Sequence, residues 1–193
     1  RPFVITRACY SGSQKYAVVW TGDNQSLWGH LRMSIPQQCS LGLSGMAFHG
    51  TDIGGFGADC TPELMARWIQ AGCFSPLFRS HSSMGTRVQE PWRFGDEVTA
   101  IFRKYVKLRY RLQPYFYDLF RECEETGLPP MRALVLNYED DPNVHELNDE
   151  FMLGDQMLVA PVVEQGARQR MIYLPKGDWY DFWTGEKQEG GRY

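Results

Sequence analysis

Six side chains stand where short apolar runs of the chain break into polar loops: Arg7, Trp20, Asp23, Asp52, Phe56 and His81. Arg7 follows Ile5-Thr6, Asp23 sits in Trp20-Thr21-Gly22-Asp23-Asn24, Asp52 opens Asp52-Ile53-Gly54-Gly55-Phe56, and His81 begins His81-Ser82-Ser83. A lone Asp or Asn at such a junction is ordinary turn chemistry. Four successive junctions that each bring a cation, a carboxylate or an imidazole, two of them beside an aromatic, are harder to attribute to turns. Carboxylates, a guanidinium and an imidazole hydrogen-bond hydroxyls in pairs, while Trp20 and Phe56 offer flat apolar surfaces to the C–H face of a ring. The set points to a neutral polyhydroxylated ligand. A phosphate would require Lys or Arg at a Gly-rich helix N-terminus. The glycine stretch from Gly50 to Gly57 lacks the Lys-Ser/Thr ending of a P-loop and carries Asp52 where an anion would have to come.

Positioning these residues falls to a repeated unit of short apolar strand, polar loop and amphipathic helix. Strands are predicted over Phe3–Thr6, Tyr16–Trp20, Met46–His49 and Pro76–Arg79, each mostly apolar, as strands of a parallel sheet buried on both faces are. In a βα barrel the loops after the strands open on one face, so the six residues would converge there. Ser26 is predicted to cap a helix running to about Leu41 and ended by Gly42. Thr61, with Pro62 at the first helical position, opens a helix over Glu63–Phe74 whose Leu64, Met65, Trp68 and Ile69 share a face. A longer helix starts near Asp96, carries apolar residues at helical spacing from Val98 to Phe120 and stops at Gly127, with a kink expected at Pro114. Its basic residues, Arg103, Lys104, Lys107, Arg109 and Arg111, read as a solvated face rather than a nucleic-acid stripe. Glu63, Glu90, Asp96 and Glu97 read as helix-start or loop charges, and His30, His49 and His145 as structural or surface residues.

After Pro129-Pro130 the pattern changes. Met131–Asn137, Gln156–Val163, Arg168–Leu174 and Trp179–Trp183 are strand-length runs separated by turn clusters such as Pro175-Lys176-Gly177-Asp178. A boundary near residue 128 therefore divides a βα-repeat region, 1–128, from the start of an antiparallel β module, 129–193.

The 193 residues are 43% hydrophobic, 14% aromatic and 22% charged, a globular composition that excludes general disorder. A net charge of −3, with no basic arm or acidic tail, suggests no nucleic-acid partner. No apolar run approaches the ~18–20 residues of a membrane span, so no membrane partner is expected. The five cysteines, Cys9, Cys39, Cys60, Cys73 and Cys123, are widely spaced and form no CxxC pair. That argues against a disulfide framework and a zinc site and favours reduced thiols in a cytoplasmic setting. No metal or cofactor is expected.

Ile5-Thr6-Arg7, Trp20-Thr21-Gly22-Asp23-Asn24, Thr51-Asp52-Ile53-Gly54-Gly55-Phe56, Phe78-Arg79-Ser80-His81, Gln89-Glu90-Pro91-Trp92, Met152-Leu153-Gly154-Asp155, Val159-Ala160-Pro161-Val162 and Trp179-Tyr180-Asp181 together resemble, in order, glycoside hydrolase family 31. That family holds α-glucosidases, α-xylosidases and related enzymes. The resemblance implies an α/β fold: the second half of the catalytic (β/α)8 TIM barrel, strands five to eight, followed by the beginning of an antiparallel β-sandwich domain. It makes Asp23 the general acid/base of a retaining, exo-acting α-glycosidase. Arg7, Asp52 and His81 become hydrogen-bonding residues for the non-reducing sugar, with Trp20 and Phe56 as walls. Such an enzyme needs two carboxyl groups about 5–5.5 Å apart, one to attack the anomeric carbon and one to protonate the leaving oxygen and then activate water.

The family's nucleophile lies in a segment resembling Asp-Met-Asn-Glu-Pro at the end of strand four, and no such segment occurs here. The resemblance places it upstream of Arg1, so the chain alone is expected to be inactive and to need the remaining N-terminal part as its partner. The expected substrate is an α-linked oligosaccharide or glucoside. An α-xylosidase and a non-catalytic sugar-binding protein are the alternatives; a homo-oligomer is left open.

Overall fold

The computed structural model describes residues 2–193; Arg1 lies outside the described residues. Among those described, β1 (Ile5–Thr6), β2 (Val18–Trp20), β3 (His49–Ile53) and β4 (Leu77–Ser80) form one sheet in the order β1-β2-β3-β4, every pair parallel. Parallel neighbours need crossovers. Helix α1 (Trp28–Leu43) connects β2 to β3, and α2 (Pro62–Gly72) connects β3 to β4. Helix α3 (Asp96–Thr126) follows β4 and packs on α2.

Several boundaries differ from the sequence reading for identifiable reasons. The third strand is His49–Ile53, not Met46–His49. Its Gly, Thr and Asp look like a turn, yet all five residues are buried. Gly50 is required there, because a Cβ would come within 2.2 Å of the Leu77 carbonyl oxygen on β4. Ser26 does not cap α1: Leu27 holds that position without a side-chain bond, and Ser26 Oγ donates instead to the carbonyls of Gly54 and Ala58. The helix passes Gly42, which packs against Pro129, and ends at Leu43. Helix α2 opens as expected, Thr61 Oγ1 accepting from the Leu64 amide at 3.3 Å with Pro62 in the first turn. Helix α3 runs unbroken as helix through Pro114 and is closed by Gly127 at φ 83°.

One residue of the basic face on α3 is misread. Arg109 is half-buried, not solvated: its guanidinium donates to the carbonyls of Cys73, Ser75 and Pro76 at 3.0, 2.6 and 2.7 Å and lies 3.7 Å from the Phe116 ring centre. It thereby fastens the turn that leads into β4. Burial pulls its pKa down to about 10.

Beyond Pro130 lie β5 (Met131–Arg132), β6 (Phe151–Leu153) and β7 (Met157–Val159), an antiparallel sheet in that order, and the hairpin β8 (Asp178–Tyr180) with β9 (Lys187–Glu189). The run Met131–Asn137 is strand only at its start; Leu134–Leu136 winds into a 3-10 turn. Over Arg168–Leu174 only Leu174 pairs, with Arg192. Side chains replace the ladder in that segment: Glu150 accepts from the Tyr173 amide at 3.2 Å, and Arg170 donates to the Asp149 and Pro161 carbonyls, each at 2.8 Å. The apolar triplet of β6 is buried, though too short to announce a strand.

The main core fills the space beneath the helices with Leu31, Ile35, Leu64, Met65, Trp68, Ile69, Phe102, Leu112 and Phe116, and it continues past residue 128 into Met131, Phe151, Leu153 and Val159. The Tyr115 hydroxyl donates to the Leu153 carbonyl at 2.6 Å, and Arg132 bonds Glu122 at 2.5 Å, so α3 is tied to the β-rich part by polar contacts as well. A smaller, separate cluster is formed by Leu134, Val144, Met152 and Tyr173. Cys39, Cys60 and Cys73 are buried free thiols whose pKa burial pushes to about 12; Cys9 is exposed. No helix among the described residues is long and apolar enough to cross a membrane.

Candidate active site

Side chains alternate across a strand, and residues in register on parallel strands share a face. Trp20 is in register with Gly50, and Asp52 with Arg79, so Trp20, Gly50, Asp52 and Arg79 lie on one face of the sheet. Thr51 and Ile53 take the opposite face and meet the helices: a Cβ on Gly72 of α2 would touch Ile53 Cδ1, and Thr51 lines a small void with Ser34, Gln38 and Trp68. Asp52 and Arg79 thus take the face opposite to the one that Thr51 and Ile53 turn toward α1 and α2.

Asp52 is fully buried, at 0% exposure. Its Oδ1 accepts from Arg79 Nε at 3.1 Å and from the terminal Nη2 of the same guanidinium, while Oδ2 has no partner. Burial pushes its pKa up, against the Arg79 bond and charge; His81 also pulls it down, and Asp23 pushes it up. Both groups are therefore close enough to act on it electrostatically. The Arg79 guanidinium lies 5.0 Å from the centre of the Trp20 ring. Phe56 and His81 stack with ring centres 5.3 Å apart and an interplanar angle of 29°. Asp23 is the open member of the group: its side chain is 39% exposed, and Oδ2 lies 3.3 Å from the Arg7 guanidinium, itself 67% exposed.

The loops that carry these residues are fastened to one another. The Thr21 amide continues the pairing beyond β2 by donating to Gly50 at 3.1 Å. The Asn24 carbonyl accepts from the Phe56 amide at 2.6 Å and the Gly57 amide at 3.2 Å, and the Ser83 amide donates to the Phe56 carbonyl at 2.8 Å. Gln89 Nε2 donates to the Gly55 carbonyl at 2.9 Å. The segment after β3 is the hub, and Gly54 and Gly55, at φ 90° and 87°, let it fold back. At Gly55 a Cβ would lie 2.6 Å from the Ser26 amide nitrogen, so the loop after β2 is pressed directly on this glycine.

The structure brings the six sequence-predicted residues to the C-terminal ends of the four strands in three contacts: Arg7 with Asp23, Phe56 with His81, and Trp20 with Asp52 through Arg79. Arg79, which joins Trp20 to Asp52, is not among the six. Its signal is register: Gly50, Asp52, Leu77 and Arg79 alternate on adjacent strands. Asn24, Ser26 and Gln89 are likewise loop ties with no sequence signature beyond their polarity. Of the histidines set aside, His30 accepts from the Gln25 amide at 2.8 Å, His145 contacts the Glu139 carbonyl at 3.0 Å, and His49 is fully buried with its pKa lowered by burial to about 3. Among the described residues no three His, Cys, Asp or Glu side chains gather as a metal-binding group would.

What the arrangement can do is orient a neutral ring: a buried carboxylate with one free oxygen, an imidazole and two aromatic faces, beside a more accessible carboxyl that can exchange a proton. Residues 1–119 match the model of the glycosyl hydrolases family 31 TIM-barrel domain, and residues 127–193 that of the family's C-terminal domain. The chain is 52% identical over 193 residues to alpha-glucosidase 2 of Bacillus thermoamyloliquefaciens, covering 100% of this chain and 24% of that protein. A family 31 dextranase of Flavobacterium johnsoniae, solved with glucose, superposes with a TM-score of 0.94 at 43% identity, over 98% of this chain and 25% of the dextranase. A family 31 alpha-xylosidase from a soil metagenome, solved with xylose, has a TM-score of 0.93 at 35% identity, over 98% and 32% of the two chains.

Proposed function

As the chain belongs to glycoside hydrolase family 31, we propose that it supplies the acid/base and sugar-binding half of a retaining, exo-acting α-glycosidase that removes terminal non-reducing α-glucosyl residues from oligosaccharides. In this reading β1–β4 are barrel strands five to eight, 1–128 completes the barrel with an N-terminal part, and 129–193 begins a β-sandwich.

Asp23 is the general acid/base. It protonates the leaving oxygen while a nucleophilic carboxylate from the N-terminal part attacks the anomeric carbon; it then takes a proton from the water that opens the glycosyl ester. Its partial exposure suits a group that must reach both a leaving group and water, and Arg7 fixes its orientation. Asp52 accepts hydrogen bonds from ring hydroxyls, whose strengthening in the transition state accelerates the reaction. Arg7 and His81 donate to further hydroxyls. Trp20 and Phe56 cover the ring faces. Asp52 is a poor candidate for the attacking group, because one oxygen is held by Arg79 and the whole carboxyl is buried.

The observation that carries the reading is the gathering of Asp23, Asp52 and His81 at the ends of the strands of one parallel sheet, with Asp23 and His81 each within electrostatic reach of Asp52. The glucose bound to the dextranase neighbour, and isomaltotriose bound to a variant of it, support an oligosaccharide substrate. The xylose-bound neighbour favours a second reading, an α-xylosidase built on the same residues. Asp23→Asn in the whole enzyme carrying this chain is expected to lower turnover of 4-nitrophenyl α-glucoside by about 100- to 10,000-fold, the usual worth of a positioned proton donor. Near-normal turnover would remove Asp23 from the acid/base role. Faster turnover of the α-xyloside than the α-glucoside would select the second reading.

A further inference from the structure

Asp23 meets Arg7 through an exposed ion pair, which orients the tip of the carboxyl but contributes little to the placement of its backbone. That backbone is held one residue further on. The Asn24–Gln25 peptide is a rigid plane whose carbonyl and amide point in opposite directions. At the carbonyl end, Asn24 accepts from the Phe56 amide at 2.6 Å and the Gly57 amide at 3.2 Å. At the amide end, Gln25 donates to His30 Nδ1 at 2.8 Å. One plane is thus gripped both from the loop after β3 and from helix α1, with Asn24 alone between it and Asp23. His30 is the third residue of α1, whose N-cap, Leu27, supplies no side-chain bond. At that position a capping-box Glu or Gln reaches back to the N-cap amide. The Leu27 amide is instead taken by the Gln25 carbonyl at 2.8 Å, and the imidazole reaches two residues further, to Gln25 itself. A backbone amide can only donate, so Nδ1 keeps its lone pair and the ring carries its hydrogen on Nε2.

We propose that His30 is a positioning residue for the acid/base: by accepting from Gln25 it holds the Asn24–Gln25 plane against α1 and so keeps the Asp23 carboxyl in line with the leaving oxygen. The inference rests on the proposed function, since it presumes that Asp23 delivers a proton there. Without the imidazole, the plane is held at its carbonyl end alone and can rock about the bonds from Phe56 and Gly57. A misplacement of about 1 Å in a catalytic group costs on the order of 100-fold. Proton transfer suffers from such rocking, whereas the binding of the sugar by Asp52 and the stacked Phe56 and His81 does not pass through this peptide.

The test compares kcat/KM for two substrates in the whole enzyme carrying this chain: phenyl α-glucoside, whose leaving oxygen must be protonated, and α-glucosyl fluoride, whose fluoride departs with little help from an acid. The variants are His30→Leu, His30→Asn and Asp23→Asn. Asparagine places its Oδ1 where the imidazole has Nδ1 and so keeps the acceptor; leucine has none. His30→Leu is expected to lose about 10- to 100-fold on phenyl α-glucoside and to stay within about twofold of native on the fluoride. His30→Asn restores most of the loss, and in the Asp23→Asn background His30→Leu adds little, because its effect acts through that carboxyl. A residue that served only to start α1 would lower both substrates together by reducing the folded fraction, so equal losses in His30→Leu overturn the proposal. A His30→Asn variant as impaired on phenyl α-glucoside as His30→Leu also overturns it. If His30→Leu does not fold, His30→Ala takes its place and is read against His30→Asn in the same way. Equal losses on the two substrates in Asp23→Asn would instead refute the proposed function, which keeps the two failures apart.

Discussion

Arg109 offers a sharp test of how the site is supported. It stands in a row of basic residues on α3, and its neighbours Arg103 and Arg111 are exposed, whereas its guanidinium donates to three backbone carbonyls between Cys73 and Pro76. Hydrogen bonds to a charged group contribute about 1.5–3 kcal/mol each, so three amount to roughly 5–9 kcal/mol before the desolvation of the cation is subtracted. That desolvation is real, since burial lowers the Arg109 pKa to about 10. A net loss of about 3–5 kcal/mol on Arg109→Ala is expected, the scale of an uncompensated break in a buried polar network, including lost packing on Phe116. The turn it holds feeds β4, which carries Arg79 and leads into His81, so hydrogen exchange at residues 73–80 should accelerate together. The assay is denaturant unfolding of the whole enzyme with mass-resolved hydrogen exchange, Arg103→Ala and Arg111→Ala serving as controls within about 0.5 kcal/mol of native. If Arg109→Ala costs no more than these controls, the turn is held by something else.

Two further outcomes follow from buried groups. Glu150, buried with its pKa raised by desolvation from 4.5 to about 7, keeps its proton in the folded state at pH values where the unfolded chain has lost it. Its contribution to stability is therefore whole below pH 4.5 and falls as pH rises to about 7; at 1.36 kcal/mol per pH unit that is about 3 kcal/mol. Glu150→Gln should raise the unfolding midpoint at pH 8 but not at pH 4.5; equal shifts at both would refute the assignment. Gly55→Ala meets both a positive φ and the Ser26 backbone, whereas Gly85→Ala meets a similar φ, 88°, with open space. The Gly85 variant should cost about 1–2 kcal/mol and the Gly55 variant several times that, with loss of turnover, by thermal unfolding and the α-glucoside assay. Equal costs would show that the loops after β2 and β3 are not pressed together.

The legibility of this chain in its sequence follows the length scale of each interaction. Helix α2 was readable because its cap, Thr61, and its apolar face are local. The parallel sheet is implied by the βα alternation, but the bounds of β3 are not, because His49-Gly50-Thr51-Asp52 has the composition of a turn. What makes it a strand is its pairing on both sides, with β2 and with β4, where Gly50 is in register with Leu77, twenty-seven residues away. Arg109 was misread for the same reason: on its own helix it is a basic residue among others, and its partners lie some thirty-five residues earlier. In the β-rich part, composition suggests a strand over Arg168–Leu174, yet the Tyr173 amide donates to the Glu150 side chain and only Leu174 pairs. Arg79 carries no local signal, because its pairing with Asp52 depends on the register of two strands.

Burial explains why a carboxyl group on β3 and one in the loop after β2 suit different tasks. Asp52 belongs to the strand itself, where both backbone and side chain are held and buried. A fixed acceptor of that kind can select one hydroxyl position, but it exchanges protons poorly, and its burial disfavours the charge a nucleophile needs. Asp23 lies three residues past the end of β2, after Gly22 at φ 85°, in a loop tied down on its far side through Asn24 and Ser26. It is thus held at its base and open at its tip, the condition for a group that must deliver a proton to one partner and take it from another. Moving Asp23 into the strand would bury it like Asp52; moving Asp52 into the loop would free it from Arg79. The division of labour in the proposed reaction is therefore written in backbone position, strand against loop, as much as in the identity of the two residues.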